Sequence, residues 1–530
     1  MIHNGLKRAA IAAVFSFLLS NLFIFSPCQA REEASSSDEG ASFQATELDP
    51  SNPGFLAFPE GHVDANHFYE FLTVANANKT EPRLFTVRYI FTEGDYLQKE
   101  YLIPPSTRYT IYVNGVVGDS PPKDVSLGVW ITASLLDPER VVYFRDYMGW
   151  CSGAHAAKGY SNNTGYGGTD FLLAEGYTGP GFDEWLLVAN YESNKDADVY
   201  FEFQVEELDT PIIKGPLKVP PNSRRTWLVN DLLGRNYQHS TKMWCEPFNG
   251  HAFVERAMYF SYMGGKVVGG TVNTYGSRTF SGAWDPNYQA PAKFIEGCTH
   301  KVNGLDFDTW FTLQNYYNTP LEVEVEFCFD KTKSSEENVV VPLTLPPKRR
   351  KTINAADYVG YNKEFFTEIR SKPNDGNKYG KFYAESPIYA RYPIWTGREW
   401  ATVTDGAVSF ARSYSQGGIE FSEGCTRPGF DTWLLIANAT TFEKTYEFEF
   451  FTEEGQVMFT DPQTGKQTKT YKVTVPPRSR KTIKVNDIPE IGYGHDVSVR
   501  GYYSYYLERA MYCYFRIDRG KPIPGYTRSI

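Results

Sequence analysis

The chain holds 530 residues, with 53 basic against 63 acidic side chains and a formal charge of −10 at pH 7. That length exceeds what one hydrophobic core holds, so several domains are expected, and an acidic balance without a concentrated basic stretch argues against a nucleic-acid backbone as partner. Aromatic residues reach 16%, including 37 Tyr and 37 Phe; with Gly and Pro at short intervals and few helix-favouring runs, the composition points to an all-β chain.

Lys7 and Arg8 precede an apolar run from Ala9 to Phe25, and Cys28-Gln29-Ala30 follows with small residues at the cleavage positions. Residues 1–30 therefore read as a secretory signal peptide. The run is slightly short for a membrane anchor and is interrupted by Asn21, so no membrane span is expected after cleavage. Residues 31–50, REEASSSDEGASFQATELDP, are Ser-rich, acidic and nearly without large apolar side chains, the composition of a disordered acidic tether.

Four Glu-Gly dipeptides follow, at Glu60-Gly61, Glu175-Gly176, Glu296-Gly297 and Glu423-Gly424, separated by 115, 121 and 127 residues. Each opens a unit with the same order of landmarks. A strand-like stretch ends in Asn76, Asn190, Asn315 or Asn438; an alternating run comes next; Pro-Pro stands at 104–105, 220–221, 346–347 and 476–477; and a basic or polar cluster leads into another apolar strand. A period this long exceeds the roughly 20–50 residues of solenoid repeats. The expected architecture is a tandem array of four immunoglobulin-like antiparallel β-sandwich domains, over residues 51–148, 170–263, 293–396 and 419–516. The Gly/Ser/Asn-rich stretches between them, 149–170, 264–292 and 397–418, read as linkers or long hairpin loops.

A closing strand ends each unit: Glu508-Arg509-Ala510-Met511-Tyr512, matched by Glu255-Arg256-Ala257-Met258-Tyr259, by Glu139-Arg140-Val141-Val142-Tyr143 and more loosely by Ala390-Arg391-Tyr392-Pro393. The Glu of Glu-Gly and an Arg here recur in every copy. The opening and closing strands are expected to be neighbours, with buried structural ion pairs Glu60–Arg140, Glu175–Arg256, Glu296–Arg391 and Glu423–Arg509 inside each domain. The alternating glutamates, as in Leu321 to Phe327, read as a solvated sheet face.

The Gly-Phe-Asp-x-Trp loop of the opening stretch is where a ligand would be sought, on Asp183 and Trp185, Asp308 and Trp310, and Asp431 and Trp433. Its Asp residues are read first as turn stabilisers and its Trp residues as core or edge positions, ahead of calcium or sugar binding. Six cysteines remain after the leader, and an exported chain can oxidise them; Cys425 with Cys513 and Cys298 with Cys328 are the expected disulfide pairs. No zinc-protease helix, nucleophile elbow, phosphate loop or Cys-x-x-Cys pair occurs, so no catalytic residue, metal or cofactor is expected.

With these landmarks in place, the units resemble a bacterial secreted tandem-repeat domain of unknown function, whose copies read approximately Glu-Gly-x-Thr, Pro-Gly-Phe, a Trp strand ending in Asn, Val-Pro-Pro-x-Ser-Arg, Val-Asn, Asp-Val-Ser and Glu-Arg-Ala-Met-Tyr. The fourth copy matches nearly throughout, including Asp496-Val497-Ser498, and the first and third are degraded. The resemblance implies attachment to cell-wall or envelope proteins and brings no catalytic residues. The expected function is a non-catalytic exported structural, adhesive or spacer protein at the cell envelope. Its partner would be cell-wall polysaccharide or another envelope protein. The alternatives are a carbohydrate- or peptidoglycan-binding protein and an enzyme with an unrecognised site.

Overall fold

The run Leu321-Glu322-Val323-Glu324-Val325-Glu326-Phe327 buries every apolar member while Glu322 faces solvent, as alternation on a half-covered sheet requires. The protein is described by a computed structural model over residues 49–52, 54–132, 135–147, 151–160, 170–246, 252–261, 267–268, 270–275, 291–302, 305–373, 380–395, 400–411, 419–462, 464–502, 506–518 and 521–529. The signal peptide and nearly all of the acidic tether lie outside these residues. Among the described residues the regular structure is almost all β, in antiparallel pairs apart from Val267–Val268 beside Thr402–Val403; helix is confined to single turns at Val113–Val117, Val229–Leu232, Ala356–Val359 and Val485–Asp487.

The second repeat gives the plan. One sheet orders Phe171–Leu173, His239–Glu246, Ala197–Val205 and Ile212–Val219; the other orders Ser223–Leu228, Phe182–Asn190, Ala252–Phe260 and Gly270–Tyr275. The first repeat has the same two orders, and the third and fourth keep them with small additions. Apolar residues of both sheets meet in a common core. In the third repeat this core includes Phe294, Phe311, Val323, Val325, Phe327 and Ile369. The opening and closing strands are hydrogen-bonded neighbours in all four repeats.

Register aligns the closing strands better than sequence does. The residue paired three positions before the strand-end Asn is Glu139 (opposite Thr73), Glu255 (opposite Leu187), Glu385 (opposite Thr312) and Glu508 (opposite Leu435). The third copy of Glu-Arg-Ala-Met-Tyr is therefore Glu385-Ser386-Pro387-Ile388-Tyr389, and Arg391 is five residues away from the position assigned to it.

The strand-end asparagines act through their side chains: Asn190 Nδ2 donates to the carbonyls of Lys195, Val219 and Pro220 at 2.8, 3.1 and 3.2 Å, tying the strand end to the Pro-Pro turn. Asn76 and Asn438 make the same three bonds in their repeats, and Asn315 makes two of them. The left-handed position is the residue after Pro-Pro: Ser106, Asn222, Lys348 and Arg478 have φ of 58°, 47°, 52° and 46°. The turn reverses the chain there and hands it to the next strand.

The stretches read as linkers each contain a strand. Cys151–Lys158, Gly270–Tyr275 and Trp400–Phe410 return along the closing strands as hairpin partners, and Lys521–Ser529 does so in the fourth repeat. These four return strands pack against one another in a closed cycle, first on second, second on third, third on fourth and fourth on first. Close approach needs small residues. Register places Gly153, Gly270 and Gly525 at one position and Asp405 at the fourth, and a Cβ on Gly153 would fall 2.9 Å from both Asp405 oxygens. Asp405 is fully buried and accepts from the amide of Ala154 at 3.3 Å.

Candidate functional site

The residues that recur in all repeats converge at the seams between repeats. Between the first and second, Glu255 Oε2 accepts the backbone N–H of Glu60 at 2.6 Å and lies 3.0 Å from Arg140 Nη1. Arg140 also holds Glu60 Oε2 at 2.7 Å and the Glu60 carbonyl. Between the second and third, Glu385 Oε2 takes the Glu175 N–H at 2.9 Å and Arg256 Nη1 at 2.9 Å, with Arg256 Nη2 3.4 Å from Glu175. Between the fourth and first, Glu139 takes the Glu423 N–H at 2.6 Å and Arg509 Nη2 at 3.0 Å. Glu255, Glu385 and Glu139 thus each cap the Glu-Gly loop of the preceding repeat, the fourth counting as the one before the first; the Glu508 side chain lies outside the described residues.

A second arginine, absent from the expected site, completes the seam from the other side. Arg108, Arg224, Arg350 and Arg480 stand three residues after the second proline of the four Pro-Pro landmarks at 104–105, 220–221, 346–347 and 476–477. Arg224 Nη1 donates to Gly61 O at 2.6 Å, and Arg350 Nη1 to Gly176 O and His239 O, both at 2.6 Å. Arg480 Nη1 reaches Gly297 O and Phe365 O at 3.0 Å, and Arg108 reaches Ser422 O at 2.9 Å and the Glu423 carboxylate. Each also meets an acid of the repeat it grips: Asp124 at 3.5 Å, Glu206 at 4.0 Å, Glu364 at 3.1 Å and Asp496 at 3.2 Å. The invariant Arg after Pro-Pro was the available signal; its partners, more than 100 residues distant, were not.

The glycine of Glu-Gly is required by this packing. A Cβ on Gly61 would lie 2.1 Å from Val125 O, on Gly176 2.4 Å from the His239 ring, on Gly297 2.1 Å from the Phe365 ring and on Gly424 2.7 Å from Val497 O. Gly61→Ala meets backbone, which cannot rotate away. It is expected to cost about 3 kcal/mol or more, the upper range of overpacking, and more than Gly176→Ala, as urea midpoints of the two variants would show.

The electrostatics follow the seams. Burial would raise the Glu60 carboxyl, but Arg140 and His155, whose Nε2 is 3.2 Å away, hold it down to about 2. Burial wins at Glu255, where Arg140 only partly offsets desolvation and Glu60 adds repulsion, and at Glu423 despite Arg108 and Arg509; both are pushed up to about 7. Burial likewise raises Glu175, against Arg256 and a Tyr389 hydroxyl bond of 2.7 Å.

The remaining site candidates separate. Glu296 is buried within the electrostatic reach of Arg480, and Arg391 does not pair with it: Arg391 Nη2 lies 2.9 Å from Asp306, its register partner. Ser386 fills the buried position where the other repeats carry arginine. This seam is held elsewhere, by Arg478 on Glu368 at 2.7 Å and on Glu326. Glu326, read as solvated, is held down to about 2 by Arg478 and Arg370 against its burial. The loop aspartates face cations, Asp183 with Arg235 at 3.5 Å, Asp308 with Lys301 at 3.9 Å and Asp431 with Lys484 at 2.8 Å. No three metal-ligating side chains gather among the described residues. Trp185 packs against a cluster that joins Phe68, Val142 and Phe144 of the first repeat to Leu187, Ala257 and Tyr259 of the second, and Trp433 against one that joins the third and fourth repeats; all three tryptophans are half-buried. Cys298 and Cys328 do not form the expected disulfide; both are thiols, pushed up by burial to about 12 and beyond. Cys298 makes an isolated bridge opposite Glu364, and Cys328 lies on the strand Leu321–Phe329 opposite Phe366. Cys425 is a buried thiol, and the Cys513 side chain lies outside the described residues.

No protein-family model matches the chain, and no curated protein matches it. Among solved structures it is similar to Thermotoga maritima 1070, at 14% identity over 21% of this chain and 95% of that one, with a TM-score of 0.18. It is also similar to the PBSX exported protein XepA, at 8% identity over 43% and 85% of the two chains, with a TM-score of 0.14.

Proposed function

We propose that the chain is a non-catalytic, exported structural protein of the cell envelope, in which four immunoglobulin-like sandwich domains clasp one another into a rigid spacer or adhesive module. One observation supports this reading above others. Charged residues that recur among the repeats are used at the seams: Arg140, Arg256 and Arg509 are buried and bonded to Glu255, Glu385 and Glu139 of a neighbouring repeat, and Arg108, Arg224, Arg350 and Arg480 grip the adjoining Glu-Gly loops. Rigidity suits a spacer: buried ion pairs hydrogen-bonded across an interface favour one arrangement. The leader at residues 1–30 supplies the export signal in this reading.

Expression with an epitope tag and fractionation tests it. The chain is expected outside the cytoplasm, shortened by cleavage after Ala30, co-sedimenting with envelope material and leaving wall polymers intact. Retention in the cytoplasm with the leader attached, or hydrolysis of wall material by the purified chain, would overturn it.

A further inference from the structure

The four repeats solve one buried position in three ways. It is the residue whose amide bonds the helix-start asparagine: Glu70 N to Asn114 at 2.9 Å, Glu184 N to Asn230 at 3.0 Å and Thr432 N to Asn486 at 3.0 Å. Thr309 is its counterpart in the third repeat, on the opening strand two residues before Phe311. The side chain points under the Glu-Gly loop, towards the residue whose amide bonds the loop glycine: Val125, His239, Phe365 or Val497.

Thr309 and Thr432 satisfy themselves on the loop backbone, bonding the amide and carbonyl of Cys298 and Cys425. Glu184 bonds through Oε2 alone, to His239 Nε2 at 3.0 Å and the Tyr177 amide at 2.9 Å, while its Oε1 has no partner. The first repeat keeps the carboxyl and loses the histidine. Glu70 is fully buried, Val125 stands where His239 would, and neither carboxyl oxygen has a hydrogen-bond partner.

We propose that Glu70 makes the seam between the first and second repeats a proton-dependent clasp, closed while its carboxyl holds a proton and loosened when the proton leaves. An ionised carboxylate without donors is strongly disfavoured in an interior, and protonation is the relief open to it. The charged groups facing it are Arg140 and Glu60 of its own repeat and Arg224 and Glu255 of the second; His155 lies behind Glu60. Ionisation would add a third carboxylate beside two arginines that already hold Glu60, Glu255 and the Gly61 carbonyl.

Burial, reinforced by Glu60 and Glu255, raises the Glu70 carboxyl well above the usual carboxylate range against Arg140 and Arg224. A folded-state value above the unfolded one means the contribution is complete below the unfolded value of 4.5 and is lost as pH rises through the folded value. Glu255 acts in the same direction on the same seam. At the next seam Glu184 is instead lowered: its burial is outweighed by His239, Arg256 and the Tyr177 amide together.

Hydrogen exchange on the full chain, corrected for intrinsic rates and compared at about pH 5.5 and about pH 8.5, reads the seams separately through the Glu60 and Glu175 amides. Protection at Glu60 is expected to fall at least about tenfold more than at Glu175, the equivalent of one pKa unit. Glu70→Gln, a neutral mimic of the protonated acid, should reduce that difference to the share that Glu255 contributes, and Val125→His should reduce it by giving ionised Glu70 the partner present in the second repeat. Equal losses at both seams in the parent chain, or a difference that persists undiminished in Glu70→Gln, would overturn the proposal; Glu70→Gln decides it even if Val125→His does not fold.

Discussion

Replacing Arg140 with alanine is expected to destabilise the protein by about 3–5 kcal/mol, whereas Arg391→Ala, one of the four arginines that sequence groups together, should cost under about 1 kcal/mol. The contrast comes from burial and partners. The Arg140 guanidinium is wholly buried and bonds Glu60, Glu255 and a backbone carbonyl. Its removal strands two carboxylates in the interior, and one of them, Glu60, is ionised down to about 2 largely because Arg140 is there. Arg391 and Asp306 are 20% and 27% exposed, and water can replace either partner. Urea unfolding of the full chain followed by tryptophan fluorescence would compare them through the first cooperative transition. Equal midpoint shifts would refute the division into seam and surface arginines.

That division marks the boundary of what sequence discloses. Period-two alternation such as Leu321 to Phe327, the Pro-Pro turns and four Glu-Gly openings were legible because each is a local pattern tied to backbone geometry. The adjacency of opening and closing strands was legible because Glu and Arg recur together. The owner of each bond was not. Glu255 neutralises Arg140 although the two lie in different repeats, and identical copies give no sign of whether a pair is satisfied within a copy or with the next one. The third repeat misled for a related reason: Ser386-Pro387-Ile388 replaces Arg-Ala-Met, so a search for arginine slides to Arg391, while backbone register holds at Glu385. The strands inside 149–170, 264–292 and 397–418 escaped because Gly and Ser there read as flexibility. At Gly153 the glycine instead permits contact with Asp405 from another repeat.

The seam between the fourth and first repeats should be the weakest point of the cycle, and Arg108→Ala should open it. The Arg108 guanidinium, almost wholly buried, binds Ser422 O, the Glu423 carboxylate and Asp496. Around it Ser422 Oγ donates to Asp137 O at 2.6 Å, and Ala75, Ala77 and Leu136 pack on Phe451. Every other seam joins repeats that are consecutive in the chain, so an opened seam stays near its partner at the effective concentration a short connection provides. Here the partners are 314 positions apart, and only the three remaining seams bring them together again. Without Arg108, Glu423 loses the first of its two compensating cations and is raised above its present value of about 7, so near neutral pH it takes up a proton instead of holding the seam. Exchange protection at the Glu423 amide, which bonds Glu139, is then expected to fall by at least about a hundredfold, or about 2.7 kcal/mol, with the Glu175 amide unchanged. Arg224→Ala, the same lesion at a tethered seam, should reduce protection at Glu60 by less. A larger loss in Arg224→Ala would mean that chain connectivity does not set the strength of the seams, and that the fourth repeat holds the first as firmly as any covalent neighbour.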